Sequence, residues 1–296
     1  MYMDDAEGMV FRPPSEANSL ILRVTIGCSH NACTFCGMYR DVSFRARPAA
    51  EVAALIDRAA RYWPETRRIF LADGNALVLS TERLLAILAR LKGAFPKLAR
   101  VTCYGGPQDI LRKTVPELAA LKAAGLQIIY LGIESGDDEV LALAGKGATA
   151  AEMTAAGRRV LDGGLKLSAM VILGLGGERL SRQHALGTAR VVSAVNPTML
   201  SALSLMLHAG TPLRAQADSG AFRPLSPLGL LQELKLMVAN IAVAGPCIFR
   251  SNHVSNFLPL AGTLPHDKDR LLADIDEVTA VFRDKTTPTY NDDGPF

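Results

Sequence analysis

The sequence predicts an α/β fold, a partial (β/α)6 barrel of the TIM type with a C-terminal extension. Six short, almost uninterrupted apolar segments alternate with helical patterns, and they begin at about Ser19, Arg68, Leu98, Leu126, Leu167 and Met199. Near-continuous apolar strands are typical of a parallel sheet whose faces are covered by helices. The chain has 296 residues, and one barrel commonly takes about 200–250 of them. One barrel with an additional segment therefore fits the length.

Helix signals follow the same alternation. Residues 48–62 place apolar side chains on one face, as expected for a helix that covers the sheet between the first two strands. Thr114 and Thr149 each precede a glutamate by three residues, which predicts a capping box at the start of two further helices. Another helical pattern begins at Ser226, and a last one covers residues 267–282.

The domain organisation follows from the lack of any Ser- or Gly-rich linker that would divide the chain in two. We expect the partial barrel in residues 1–210, with its core from about residue 19. Residues 211–282 are expected to form an extension that closes the barrel. The polar residues 283–296 are expected to be a flexible tail.

Composition excludes several classes of protein. Hydrophobic residues make up 49% and charged residues 21%, which excludes a disordered chain. The net charge of +3 gives no reason to expect a nucleic acid partner. No uncharged apolar run approaches the ~18 residues of a membrane span, and the acidic N-terminus lacks the pattern of a secretory signal. These features predict a cytoplasmic protein without a membrane partner.

The strongest chemical signal is a C-x4-C-x2-C set, Cys28, Cys33 and Cys36, directly after the first predicted strand. Chemistry in parallel barrels lies at that end of the strands. Three thiolates can hold three irons of a [4Fe–4S] cluster and leave the fourth iron open, since full protein ligation takes four cysteines. The alternatives are a zinc site completed by His30, and unrelated core thiols.

At these residues the chain resembles the radical S-adenosylmethionine (SAM) superfamily, in a variant with one extra residue between the first two cysteines. After the second predicted strand, Asp73-Gly74-Asn75 stands in the place of the family's Gly-Gly-Glu segment. The resemblance implies that the backbone of this segment holds the SAM amino group. Asp73 and Asn75 depart from the family pattern.

The resemblance continues after the fourth and fifth predicted strands. Glu134 and Ser135 match the family segment at the ribose and amino-acid end of SAM, and Lys146 stands where relatives place a basic residue for the SAM carboxylate. The alternative for Lys146 is an ordinary exposed lysine. Gly174 and Gly176 resemble the segment beside adenine, and glycine lets a backbone approach a flat ring closely.

The resemblance implies an activity and its cofactors. A [4Fe–4S] cluster would cleave SAM reductively to a 5′-deoxyadenosyl radical, which abstracts hydrogen from a substrate. A low-potential electron donor of the flavodoxin or ferredoxin kind would supply the electron.

One turn indicates a branch of the family. The turn from His208 to Pro212 is similar to that of oxygen-independent coproporphyrinogen oxidase and methylthiotransferase catalytic domains. The alternative from another class is a non-catalytic zinc- or cluster-binding protein.

A polar segment late in the chain supplies the candidate substrate residues. Arg250, Asn252 and His253 offer hydrogen-bond donors and acceptors for a small polar or acidic molecule, and Arg250 can grip a carboxylate or phosphate. The alternative is that such residues cap turns.

The two remaining cysteines, Cys103 and Cys247, are too few to hold a second cluster. We expect Cys103 to face the barrel interior.

Overall fold

A computed structural model of the protein describes residues 10–284. The predicted tail lies outside the described residues except for positions 283 and 284, which end the last helix. The acidic N-terminal segment also lies outside them.

The centre of the fold is an eight-stranded sheet. The strands of the described chain are β1 (Leu20–Arg23), β2 (Thr25–Ile26), β3 (Arg45–Ala46), β4 (Arg68–Ala72), β5 (Arg100–Tyr104), β6 (Leu126–Glu134), β7 (Lys166–Leu173), β8 (Met199–Ser204), β9 (Cys247–Ser251) and β10 (Leu260–Leu264). The sheet order is β1-β4-β5-β6-β7-β8-β9-β10, and β2 pairs with β3 separately. All neighbours in the large sheet are parallel except β9 and β10. Within the described residues β1 and β10 do not pair, so the barrel is partial.

The predicted partial α/β barrel is confirmed. Its six strands are β1 and β4 to β8. The first predicted strand is interrupted at Val24, and β2 leaves the large sheet to pair with β3. The segment expected to be an extension supplies β9 and β10 to the same sheet. The domain division at residue 210 stays a prediction.

Helices connect the strands and cover the convex face. They are α1 (Ala49–Tyr62), α2 (Thr81–Ala94), α3 (Pro107–Leu111), α4 (Val115–Ala123), α5 (Asp138–Leu143), α6 (Ala150–Asp162), α7 (Gly177–Val195), α8 (Pro212–Asp218), α9 (Pro227–Asn240) and α10 (Lys268–Asp284). Both predicted capping boxes form, at Thr114 and Thr149. No helix of residues 10–284 is both long and apolar enough to cross a membrane.

The sheet buries different residues on its two faces, because successive side chains of a strand point in opposite directions. Leu71 and Ile129 belong to the main core beneath the helices, whereas Phe70, Ile128 and Tyr130 form a second cluster on the concave face. Cys103 lies level with Leu71 and Ile129 and packs in the main core. The expectation that Cys103 faces the barrel interior is therefore wrong. Because side chains alternate along a strand, its chain neighbours Thr102 and Tyr104 point to the concave face instead.

A polar network fills the concave face near the amino-terminal ends of the strands. Glu16 is the last residue of a 3-10 turn (Pro14–Glu16) and is fully buried. Its carboxylate accepts hydrogen bonds from Tyr130 Oη at 2.6 Å and Arg100 Nη2 at 2.9 Å. These bonds compensate for burying the charge. The segment before β1 therefore fills this end of the barrel.

Candidate active site

The three clustered cysteines lie on one loop, residues 27–44, which we call the cysteine loop. It leaves β2 near the carboxyl end of β1 and returns to β3. Cys28, Cys33 and Cys36 are half-buried and free, whereas Cys103 and Cys247 are buried elsewhere. The clustered thiols are therefore the accessible ones.

Backbone contacts anchor the middle of the cysteine loop on two neighbouring segments. The Thr34 N–H donates to Ala144 O at 2.9 Å, and Thr34 O accepts from the Leu213 N–H at 3.0 Å. His30 Nε2 lies 2.7 Å from Gly145 O, and because a carbonyl can only accept, this nitrogen carries the proton. The ring that the sequence offered as a fourth zinc ligand thus holds the loop against the residues after α5.

The donor set fits an iron–sulfur cluster. Burial raises the pKa of the Cys33 thiol to about 11, so its thiolate needs a nearby cation to form at neutral pH. Within residues 10–284 no three His, Cys, Asp or Glu side chains are grouped so that they could share one metal ion. A cluster takes each thiolate on a separate iron, so this spacing is compatible with it.

Asp73, a candidate SAM residue, turns its carboxylate toward the cysteine loop. It accepts hydrogen bonds from Tyr39 Oη at 2.6 Å and from the Gly27 N–H at 3.2 Å, and Arg23 Nη1 lies 3.8 Å away. Burial and the Asp73 charge raise the pKa of Tyr39, so the phenol remains a donor. The aspartate that departs from the family pattern positions the loop that carries the cysteines.

Gly74 and Asn75 also pack against the cysteine loop, at Cys28 and Ser29. A Cβ at Gly74 would lie 2.9 Å from Cys28 Cβ, so only glycine fits there. The Asn75 side chain donates to Ser29 Oγ at 2.9 Å and Asp109 Oδ2 at 2.5 Å, and it accepts from the Gly106 N–H at 3.0 Å. Its hydrogen-bonding groups are thus used in joining the loops after β2, β4 and β5.

Glu134 and Lys146 form an ion pair beside the cysteines. Lys146 Nζ lies 2.9 Å from Glu134 Oε1, and the two side chains are 13% and 12% exposed. Burial acts to lower the pKa of Lys146, but the charge and hydrogen bond of Glu134, together with the nearby Cys33, outweigh burial and raise that pKa. Lys146 is therefore charged and is not an ordinary surface lysine. Two predicted SAM residues are brought together here.

Ser135 belongs to a fully buried network behind this pair. His184 Nε2 lies 3.0 Å from Ile172 O, and its Nδ1 lies 2.8 Å from Ser135 Oγ. Burial lowers the pKa of His184 to about 4, so the ring is neutral. Nε2 then donates to the carbonyl, and Nδ1 accepts from the serine hydroxyl. Ser135 therefore supports the loop after β6.

Gly174 meets a buried acid from α9. Its N–H donates to Glu233 Oε1 at 2.6 Å, and Glu233 Oε2 accepts from Ser181 Oγ at 2.6 Å. Gly174 has φ +80°, and a Cβ there would lie 2.9 Å from Leu230 Cδ2 of the same helix. The positive φ favours glycine at this position whether or not a cofactor lies beside it, and a side chain there would also displace the end of Leu230. Gly176 immediately precedes α7.

Sequence reasoning did not find Tyr39, His184 or Glu233. Each lies far along the chain from its partner, and no motif marks any of them. The nearest signal for Glu233 is its spacing, three residues after Leu230 and four before Met237, which places an acid on the apolar face of α9, where burial without partners would be costly.

Arg250 lies in β9 on the concave face. The register places it opposite Ser201, which lies opposite Met170, which lies opposite Gly132. Arg250 is exposed, and its Nη1 donates to Phe249 O at 2.7 Å and Gly262 O at 3.2 Å. Arg250, Ser201, Met170 and Gly132 thus form one row across the sheet, and Gly132 precedes Glu134 by two residues in β6.

Asn252 and His253 follow β9 at the carboxyl edge of the parallel strands. Asn252 is exposed. His253 Nδ1 accepts from the Ser255 N–H at 3.1 Å, so a neutral ring carries its proton on Nε2. Asn256 accepts from the Ser204 N–H at 2.7 Å and fixes this loop to the end of β8. The three substrate candidates thus lie on or beside one strand.

Comparison with family models gives one match. The model of the radical SAM superfamily matches residues 22–187, more than half of the chain. This span begins in β1 and ends in α7. The chain matches none of the curated proteins.

Solved structures share the fold at low identity. Coproporphyrinogen III oxidase from Escherichia coli, a radical SAM enzyme, gives a TM-score of 0.56 with 18% identity over 75% of this chain and 51% of that one. Methylornithine synthase gives 0.52 with 15% identity over 89% of this chain and 84% of that one. The cobalamin-dependent SAM radical enzyme OxsB gives 0.50 with 19% identity, and the chain spans 30% of its length. At these identities the likeness concerns the fold.

Proposed function

The chain belongs to the radical SAM superfamily, whose members are enzymes with a [4Fe–4S] cluster and SAM, and from this premise we propose that it acts on a small polar molecule held against its concave face. One observation carries the proposal. The cysteine loop, the Glu134–Lys146 pair and the loop after β9 lie at the carboxyl ends of β1, β6 and β9, which are parallel strands of one sheet. Active sites of barrel enzymes lie at this edge.

The cofactor pair supplies the difficult chemistry, a one-electron cleavage of SAM that yields methionine and a 5′-deoxyadenosyl radical. Cys28, Cys33 and Cys36 would each bind one iron. Asp73 and Asn75 would keep the cysteine loop in place, since their side chains already bond to it or to the segments beside it.

Glu134 and Lys146 would bind the amino-acid end of SAM. The ammonium of Lys146 can pair with the SAM carboxylate, and Glu134 can accept hydrogen bonds from an amine or hydroxyl. Both groups lie close enough to Cys33 to act on the pKa of its thiol, which Lys146 lowers and Glu134 raises. Their mutual ion pair keeps both side chains oriented at the site.

The substrate would contact the concave face beside this pair. Arg250 is exposed there, and its guanidinium can bind a carboxylate or phosphate. Asn252 and the Nε2–H of His253 add donors at the strand end. The five free thiols fit a cytoplasmic location. The one-electron cleavage of SAM would need a low-potential electron donor.

The test is anaerobic reconstitution with iron and sulfide, followed by reduction with dithionite in the presence of SAM. We expect about four irons per chain and release of 5′-deoxyadenosine. Replacement of Glu134 by alanine should weaken SAM binding by ~1.5–3 kcal/mol, the range for a hydrogen bond to a charged group. Stoichiometric zinc with no iron uptake would instead support a non-catalytic metal-binding protein.

Arg250→Ala and His253→Ala should keep the iron content and the uncoupled 5′-deoxyadenosine release of the wild type, while turnover of an identified substrate falls. Arg158→Ala, a change at an exposed residue of α6, is the control. Loss of folding or of iron in the β9 variants would mean that this segment is structural.

A further inference from the structure

A stripe of polar side chains runs along one face of α7. Ser181, His184 and Thr188 are spaced by three and four residues, which places them on the same side of the helix. We call these three residues the α7 stripe. His184 and Thr188 are fully buried. Buried polar groups need hydrogen-bond partners, and the partners of this stripe lie in segments beside the candidate SAM site.

The first of these segments is the loop after β6. Thr188 Oγ1 accepts a hydrogen bond from the Gly136 N–H at 3.0 Å. His184 Nδ1 accepts one from Ser135 Oγ at 2.8 Å. The α7 stripe therefore fixes the two residues that directly follow Glu134.

Glu134 itself has an unusual backbone conformation. Its φ is +63°, in the left-handed region that favours glycine, and the register with β7 shifts at this point. A side chain in this region is strained and persists only where its surroundings hold it. The carboxylate folds back over β6, so that a Cβ at Gly132 would collide with Glu134 Oε1. The pairing of this oxygen with Lys146 Nζ at 2.9 Å thus depends on a conformation that neighbouring contacts maintain.

The α7 stripe also reaches the end of β7 and helix α9. His184 Nε2 donates to Ile172 O at 3.0 Å, and Ser181 Oγ lies 2.6 Å from Glu233 Oε2. Glu233 Oε1 accepts from the Gly174 N–H at 2.6 Å and lies 3.7 Å from His184 Nε2. These contacts join Glu233 through α7 to the loop after β6.

We propose that His184, Thr188 and Glu233 are positioning residues of the SAM site, which hold Glu134 in the conformation that faces Lys146. The inference rests on the proposed function, in which this pair binds the amino-acid end of SAM. All three residues are buried. They act through the loop after β6 and the end of β7, and not by contact with SAM.

The protonation state of Glu233 decides how the network is arranged. Burial raises the pKa of Glu233 to about 7 and lowers that of His184 to about 4, so both groups are neutral at slightly acidic pH. An ionised Glu233 is a stronger acceptor for the His184 Nε2–H and competes with Ile172 O for it. Rotation of the ring toward Glu233 loosens the contact of Nδ1 with Ser135. We therefore expect SAM affinity to fall as Glu233 ionises.

Three elements pack against α9, and each was considered for groups that act on Glu233. α7 presents His184, whose pKa Asp137 acts to raise, although burial outweighs it. β7 presents backbone groups. α10 presents Asp276, which pairs with Lys235 on the exposed side of α9. His184 is thus the titratable group that responds to the charge of Glu233.

The experiment measures SAM binding to the oxidised, reconstituted holoenzyme by anaerobic calorimetric titration from pH 6 to pH 8. The test variant is Glu233→Gln, and its control is Glu277→Gln, the same change at an exposed residue of α10. Thr188→Val and Thr188→Ser form a second pair, because valine keeps the volume without the acceptor and serine keeps the acceptor. Iron content and the unfolding temperature are measured for every protein.

We expect the SAM affinity of the wild type to fall about tenfold relative to that of Glu233→Gln over this range, because the protonated fraction of a group with a pKa of about 7 falls by that factor. The titrations of SAM and Lys146 are common to both proteins and cancel in this ratio. Glu277→Gln should follow the wild type. At pH 6, Thr188→Val should bind SAM roughly tenfold more weakly than Thr188→Ser, since the Gly136 N–H loses its acceptor.

Parallel pH profiles for the wild type and Glu233→Gln would overturn the proposal, and so would equal SAM affinities of the two Thr188 variants. If Thr188→Val does not fold, the Glu233 comparison decides alone. If the wild type binds no SAM, the proposed function fails, and amide hydrogen exchange at Gly136 tests the positioning role by itself. After correction for the intrinsic pH dependence of exchange, protection should fall from pH 6 to pH 8 in the wild type relative to Glu233→Gln, and equal protection would contradict that role.

Discussion

Replacing Glu233 by glutamine should change how the stability of the protein depends on pH. Glu233 is 2% exposed, and burial raises its pKa from 4.5 to about 7. The folded state therefore holds this proton over a pH range in which the unfolded state has released it. The stability that protonated Glu233 contributes is complete below about pH 4.5 and is lost as pH rises through 7.

The magnitude follows from the shift. One pKa unit corresponds to about 1.4 kcal/mol, so the wild type should lose about 3 kcal/mol of unfolding free energy through this group between pH 4.5 and 8. Glutamine does not titrate, yet it can accept from the Gly174 N–H and donate to Ser181 Oγ. The variant should thus keep both contacts and lack this pH dependence.

The assay is urea denaturation of both proteins at several pH values from 4.5 to 8. His184 is the other titrating group nearby, with its Nε2 3.7 Å from Glu233 Oε1. It is present in both proteins, so its own contribution largely cancels in their difference. As pH rises from 4.5 to 8, the unfolding free energy of Glu233→Gln should increase relative to that of the wild type by about 3 kcal/mol. A difference that does not change with pH would show that Glu233 is ionised and compensated in the folded protein.

Three further changes test the site and its scaffold. Cys28→Ala should abolish iron incorporation, whereas Cys103→Ala should retain it, as measured by iron content after reconstitution; equal loss in both would contradict the assignment. Gly74→Ala should lower iron incorporation and cost about 1–3 kcal/mol of unfolding free energy, because the new Cβ would lie 2.9 Å from Cys28 Cβ; wild-type values in both measurements would refute this. Gly136→Ala should cost at least as much in a urea titration, since its Cβ would lie 2.2 Å from Gly187 O, and an unchanged midpoint would show that the backbone can move.

The main strands were predictable because they are buried on both faces. β4 and β6 are apolar almost throughout, a pattern that local sequence displays directly. β9 alternates buried and exposed residues because its concave side is open, and the sequence interpretation treated it as a polar segment. β2 and β3 have two residues each, too few to show a period.

The candidate site also contains residues that local sequence marks and contacts that only the fold brings about. Cys28, Cys33 and Cys36 lie within nine residues, so their spacing carries the signal. The pairing of Glu134 with Lys146 links residues 12 positions apart, within one strand–helix unit. Glu233 and Gly174 are 59 positions apart. Nothing local to either residue predicts that the fold will join them, because their contact depends on how α9 packs.

The anchoring of the cysteine loop makes it part of a cooperative unit with α5 and α8. Thr34 bonds to the residues that end α5 and to the first turn of α8, so the loop cannot open without breaking both attachments. Regions linked by few backbone bonds open together at a free energy below that of global unfolding. Removal of the cluster should therefore speed amide hydrogen exchange in the loop and at both attachments, while the strands beneath α1 and α2 keep their protection.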